Sequence, residues 1–424
     1  MNGSKEQATQ DAAKPVPPYY VKGLALGVTA YLIGIHLWTW VFLLPTFLGG
    51  RADFRQLYTA GYMLRSGSAH HLYSYDAQLW FQHRLVGPGD IALPFNHLAY
   101  EALLYSPFSL LPYRQAYFVF LAVNLAFLAV SFRLLRPRMS NLADITPWLP
   151  IAMFAGFLPI AAALMQGQDS ILLLTLAVAA LASFENGREL TAGLLIGLGM
   201  FKFQIVLPIA FLFLAWRRLR FIGGFVLSAA VVTSASAWLV GLEQLKVYAG
   251  GLWSMSVRLS SATDQFRYGI SPTAMPNLRG MIFGLTSSHL SLFSVQAITI
   301  AVSFLALLLT AAFTSAKRSN SDLLLIAIAA SALVSYHLLI HDLSVLFLPV
   351  ALTLNRYLPA EATGDKNGRR LARSAALMFL APMCISYVPH HFYVVAVPAL
   401  AFLFALVNAA RLEERGMWNW HNSE

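Results

Sequence analysis

The residues able to do chemistry are few, and they sit at the ends of apolar runs. Asp53, in ADFRQLYTAGYMLRSGSAHHLYSYD (residues 52–76), follows a strongly apolar stretch by only a few positions. With Gln56 three residues later and Gly67 after FRQLYTAGYMLRS, it has the spacing of a helix N-cap with a glycine stop. A carboxylate beside low-dielectric lipid can also serve as a general base, because desolvation favours its protonated form. A second group lies in SYHLLIHDLSVLFLP (residues 335–349), where His337, His341 and Asp342 stand between two apolar runs. If that segment is helical, the two histidines share a face. The trio suits hydrogen-bonded turn chemistry or contact with a phosphate or an acceptor; spacing fixes no further ligand for a metal. Lys202, in GLGMFKFQIVL, falls at membrane depth, where a lysine is costly and by default marks function. Facing inward it suits an anionic lipid phosphate; the alternative is snorkelling to an interface. Gln166, Gln168 and Asp169, in MQGQDSILLL, form a tight turn between two apolar runs. Arg258, Arg267, Arg279, His390 and His391 are further candidate phosphate or sugar contacts.

These side chains stand out because the chain spends so little on charge. Of 424 residues, 58% are hydrophobic and 11% charged, with a mean hydropathy of +0.62, whereas a soluble domain carries roughly 25% charged residues. The composition is that of an all-α polytopic membrane protein. The net charge of +10 does not point to nucleic acid, since the basic residues are spread along the whole chain and form no single face or arm. A single cysteine, Cys384, excludes an intramolecular disulfide and a cysteine-rich metal site. No carboxylate cluster of the kind a hard cation prefers is visible in the outer segments, so neither a metal nor another cofactor is expected.

The elements that must position these residues follow from the apolar runs. Stretches long enough for a bilayer fall near 23–48, 115–132, 148–165, 221–241, 292–314, 322–338 and 391–410, with shorter ones near 168–184, 341–356 and 373–388. The run from Leu190 to Trp216 contains Lys202 and Pro208 and has polar or basic residues at both ends. It is therefore expected to be two short helices that meet at membrane depth, with both ends on one side. About twelve crossings result. The distribution of Lys and Arg places a polar N-terminal tail (1–22) and a C-terminal tail (411–424) in the cytoplasm, around one membrane domain at 23–410. Two segments, about 49–114 and 242–290, are too polar to span and too long for turns; both fall outside, and short interfacial helices are expected in them. The first apolar run is longer than a signal-peptide core and lacks a small-residue cleavage pattern, which makes it a retained anchor. The rival class is a polytopic transporter or lipid flippase. Such proteins commonly carry internal repeats with matching broken helices, and the Lys202 segment has no second copy.

Five segments in order, DFRQLYTAGYMLRSGSAHHLY, YSPFSLLP (105–112), GQDSILLLTLAVAAL (167–181), AGLLIGLGMFKFQ (192–204) and SYHLLIHDLSVLFLP, resemble glycosyltransferase family 87. These are polyprenyl-phosphate-dependent enzymes of the GT-C membrane architecture, and the resemblance covers roughly residues 23–357. It implies a GT-C-type fold and a sugar, usually mannose, carried on a polyprenyl phosphate. It further implies inverting transfer to a hydroxyl, here of a glycolipid or polysaccharide acceptor; the Lys and Arg distribution puts this on the outer face, and the lack of Asn-x-Ser/Thr in the outer segments fits a bacterial plasma (inner) membrane. Asp53 occupies the position of the family's catalytic aspartate. Lys202, Arg55, Gln168, His337, His341, Asp342, Arg258 and Arg267 become candidates for contact with the donor phosphate or the substrates. The family often has Lys-Pro where this chain reads Lys202-Phe203, and an asparagine near Asp169.

Overall fold

A computed structural model describes residues 19–88, 91–257, 271–358 and 365–414. Arg258, Arg267 and most of both terminal tails lie outside the described residues. Within them the chain is all-helical. The long helix α1 (Tyr19–Thr46) gives way near Gly50, whose φ is +90°, to three short helices, α2 (Phe54–Arg65), α3 (Tyr75–Leu85) and α4 (Ala99–Tyr105). The span α5 (Tyr113–Leu135) follows, then α6 (Ser140–Ile145) and a pair bent by 57°, α7 (Leu149–Gly156) and α8 (Leu158–Gln166). Next come α9 (Ser170–Glu185), α10 (Glu189–Leu198) and α11 (Phe203–Ala215), the last two separated by a 3₁₀ turn at Gly199–Lys202. The chain ends with α12 (Leu219–Val240), α13 (Leu242–Val257), α14 (Leu278–Thr286), α15 (Leu292–Phe313), α16 (Asn320–Val334), α17 (Phe347–Tyr357), α18 (Lys366–Leu380) and α19 (Ala396–Glu414).

Six helical segments are long and apolar enough to cross a membrane, or seven if the bent pair is one span; α9 and α16 are apolar but shorter. Among the described residues the long helices thus fall short of the twelve crossings expected, because several apolar runs fold as short or broken helices. Large apolar side chains on the spans point outward: Trp238 is 85% exposed and Phe293 76%. Exposure of that kind is what a bilayer covers. The protein is a multi-pass membrane protein.

The segment 189–215 shows how one of these helices is broken. A straight helix of twenty residues would be about 30 Å long, yet Gly193 packs against the Phe221 carbonyl while the Phe213 ring lies 4.1 Å from the Phe221 ring. The two arms therefore run out and back, with Lys202 at the tip. Gly193 and Gly224 carry the close approach of α10 to α12, where any Cβ would meet backbone. Pro208 does not make the break; it sits inside α11.

Polar ends gather at one pole. Arg138 at the end of α5 pairs with Glu185 at the end of α9, and Arg318 pairs with Glu413 of α19. Asn320 donates to Glu189 at the start of α10, and Arg356 at the end of α17 lies 3.3 Å from Asp322. At the other pole lie the α8–α9 turn, the 199–202 tip and the break between α16 and α17. Helix α9 connects the two poles with 16 residues, a length of about 24 Å. The segment 49–114 packs its short helices onto α5 through aromatic rings: Phe54 stacks on Phe120 with centroids 5.1 Å apart and touches Tyr113 at 5.8 Å.

Candidate active site

Five chain breaks converge, and each brings polar side chains for the same reason: helix ends leave backbone groups and turns that apolar residues cannot serve. Asp53 stands at the N-cap position of α2, but its side chain makes no cap bond. Its backbone is already helical (φ −62°, ψ −23°), whereas a capping residue needs an extended conformation to aim its oxygen at the first-turn N–H groups. The capping expectation is corrected accordingly. Asp53 Oδ2 instead accepts a hydrogen bond from Gln168 Nε2 at 2.8 Å, and the Asp53 N–H donates to Gln166 Oε1 at 3.3 Å. The glycine stop is present: Gly67 has φ +77° and Ser68 N–H closes back on the Met63 carbonyl.

The α8–α9 turn is held by Gly167 in the left-handed region (φ +61°). A Cβ there would lie 2.7 Å from Phe54 Cβ, so the glycine is what lets the turn sit against the residue next to Asp53. Gln168 is the hub. Its Oε1 accepts from Lys202 Nζ at 3.3 Å, and its carbonyl accepts from Asn124 Nδ2 at 3.2 Å. Lys202, 4% exposed, lies 3.1 Å from both Asp169 Oδ1 and Asp342 Oδ1. Asp342 also accepts from Ser170 Oγ at 3.0 Å and from the Leu339 N–H at 3.0 Å.

His341 stands between two carboxylates, its Nδ1 3.9 Å from Asp53 Oδ2 and its Nε2 3.5 Å from Asp342 Oδ1. His337 is not brought onto the same face by a helix, because residues 335–339 are irregular and the 3₁₀ stretch begins at Ile340. Arg55 Nη2 donates to the Ile91 carbonyl at 2.8 Å, and its Nε has no hydrogen-bond partner. Arg279 is occupied elsewhere, donating to the Tyr336 carbonyl at 2.8 Å and lying over its ring. His390 and His391 are exposed on the 3₁₀ stretch Pro389–Val395.

Two residues of this constellation were not singled out in the sequence. His97 and Glu101, at the start of α4, reach the buried side of Asp169: His97 Nδ1 is 2.7 Å from Glu101 Oε2 and 3.8 Å from Asp169 Oδ2. Burial, then the neighbouring Asp169 charge, pushes the Glu101 carboxyl well above the usual carboxylate range, and burial pushes the His97 imidazole down to about 4. The H-x-x-x-E spacing in an otherwise apolar stretch was the available signal.

Within this cluster the carboxylates differ sharply in access. The Asp53 side chain is 25% exposed, while Asp169, Asp342 and Glu101 are 2%, 1% and 1%. The family model of glycosyltransferase family 87 matches residues 100–349. The chain belongs to this family. No curated protein and no solved structure matches it. The family 87 match covers Gln168, Asp169, Lys202, His341 and Asp342, whereas Asp53 and His97 precede it. Asp53 is tied to the matched part by its bonds to Gln166 and Gln168. A family 87 member is a glycosyltransferase, a transferase with a sugar donor and an acceptor.

Proposed function

We propose that the protein transfers a sugar, in the first instance mannose, from a polyprenyl-phosphate donor to a hydroxyl of a glycolipid or polysaccharide on the outer face of a bacterial plasma membrane. The observation that carries this reading is the accessibility of Asp53 beside three closed carboxylates. Gln168 holds Oδ2 and leaves Oδ1 to meet an acceptor hydroxyl. In the reaction Asp53 takes the hydroxyl proton as its oxygen attacks the anomeric carbon. The bond from that carbon to the phosphate oxygen breaks, the polyprenyl phosphate leaves, and the configuration inverts. His341, within 3.9 Å of Asp53, lies where it can contact the sugar or receive the proton.

Cations near the leaving phosphate stabilise the charge that develops there. Lys202 is not free for that role, because Asp169 and Asp342 already surround it; its contribution is to fix Gln168 and through it Asp53. Arg55, two residues from Asp53 and with an unpartnered Nε, is the better candidate. An outward-facing site is supported by the position of the cluster at the pole opposite the arginine-rich helix ends, since basic residues mark the cytoplasmic side. The test is donor choice: membranes containing the protein are given labelled polyprenyl-phosphate mannose or labelled nucleotide-mannose in the presence of acceptor lipid. Label entering glycolipid from the lipid-linked donor alone is expected; transfer from the nucleotide sugar with none from the lipid-linked donor overturns the reading.

A further inference from the structure

We propose that His97, Glu101 and Asp169 form a binding site for one divalent transition-metal ion. Their ligand atoms all lie within 4.8 Å of one another, and the three residues are only 8%, 1% and 2% exposed. His97 Nδ1 and Glu101 Oε2 face each other at 2.7 Å, and outside this cluster neither His97 Nδ1 nor either Glu101 oxygen has a hydrogen-bond partner. Lys202 attends Asp169 Oδ1, which leaves Oδ2 facing His97 at 3.8 Å. Lone pairs buried face to face are costly unless protons or a cation lie between them.

The histidine is set up as a ligand. Its Nδ1 is the ring nitrogen directed at both carboxylates, 2.7 Å from Glu101 Oε2 and 3.8 Å from Asp169 Oδ2, as a neutral imidazole ligand requires. The spacing also fits. An ion about 2.0–2.2 Å from each ligand holds ligand atoms no more than about 4.4 Å apart; the separations from Nδ1 are 2.7 and 3.8 Å and the whole set lies within 4.8 Å, so a small shift of the side chains seats an ion. One imidazole with two carboxylates favours Zn²⁺ or Mn²⁺ over Ca²⁺ or Mg²⁺. The ion would not touch the reacting sugar. It would brace α4 against the 166–169 turn and share Asp169 with Lys202, so that the turn carrying Gln168 is fixed from behind.

The test uses the full chain in detergent, stripped with a chelator and desalted. Mn²⁺ binding is followed by the loss of the free-ion paramagnetic resonance signal, and Zn²⁺ retention by elemental mass spectrometry after gel filtration. One ion per chain is expected, with affinity lowered about 100-fold in Glu101→Gln and in Asp169→Asn. Glu243→Gln, which removes an exposed carboxylate paired with Lys246, should bind as the wild type does. No retention by the folded wild type, meaning that protons alone fill the cluster, overturns the proposal, as does equal affinity in the two ligand variants. Because the wild type decides stoichiometry, a variant that fails to fold does not spare the proposal. The readout is ion binding, so it stands or falls separately from sugar transfer.

Discussion

At the scale of single residues, the cluster separates a carboxylate that can meet substrate from charges that serve only to hold it. Lys202 is enclosed with Asp169 and Asp342, and removing one partner of a buried ionic set costs about 3–5 kcal/mol because the others stay buried and uncompensated. Lys202→Met is expected to lower the unfolding temperature of the detergent-solubilised protein substantially; an unchanged temperature would contradict the enclosed triad. Gln168 acts through Asp53. Gln168→Leu removes the bond to Oδ2, a hydrogen bond to a charged group worth about 1.5–3 kcal/mol. Turnover is expected to fall at least about ten-fold with KM for the donor little changed, whereas a rise in KM alone would assign Gln168 to binding instead.

At the scale of elements, the site exists because helices stop where they do. Gly167→Ala puts a side chain on a left-handed backbone, at a cost of about 1–2 kcal/mol, and drives a Cβ to 2.7 Å from Phe54. Phe54 is locked among aromatic rings, so the strain falls on the turn that carries Gln168. Loss of transfer with the protein still folded is expected, read by activity beside a gel-filtration profile; a fully active Gly167→Ala would show that the turn tolerates displacement. The sequence made part of this legible. Lys202 announced the re-entrant break, since a charge at membrane depth between two basic ends cannot belong to an ordinary crossing. The Asp53 cap misled, because the spacing to Gln56 and Gly67 is the same whether or not the backbone at Asp53 is extended. His97 and Glu101 stayed hidden because their meaning depends on Asp169, and local patterns do not tell which breaks meet. Crossing number is not fixed by hydropathy, which marks apolar stretches but not a bend such as the 57° one between α7 and α8.

At the scale of the whole molecule, the chain has two chemically distinct poles joined by short apolar helices. The arginine-rich pole and the carboxylate cluster are separated by the length of α9, about 24 Å. With Cys384 replaced by Ala, a cysteine at the exposed His70 position is expected to react with an impermeant reagent added outside intact cells. A cysteine at the exposed Lys317 position is expected to react only after permeabilisation, and the reverse pattern would turn the site to the cytoplasm. The orientation matters because a lipid-linked donor presented outside needs its base on that side. The most direct measurement is label transfer from polyprenyl-phosphate sugar into acceptor lipid by reconstituted Asp53→Asn. Asparagine keeps the shape and can still accept from Gln168, but it cannot take a proton. Folded, inserted protein with transfer lowered by about 10²–10⁴-fold is the expected result; transfer at the wild-type rate would remove Asp53 from the chemistry.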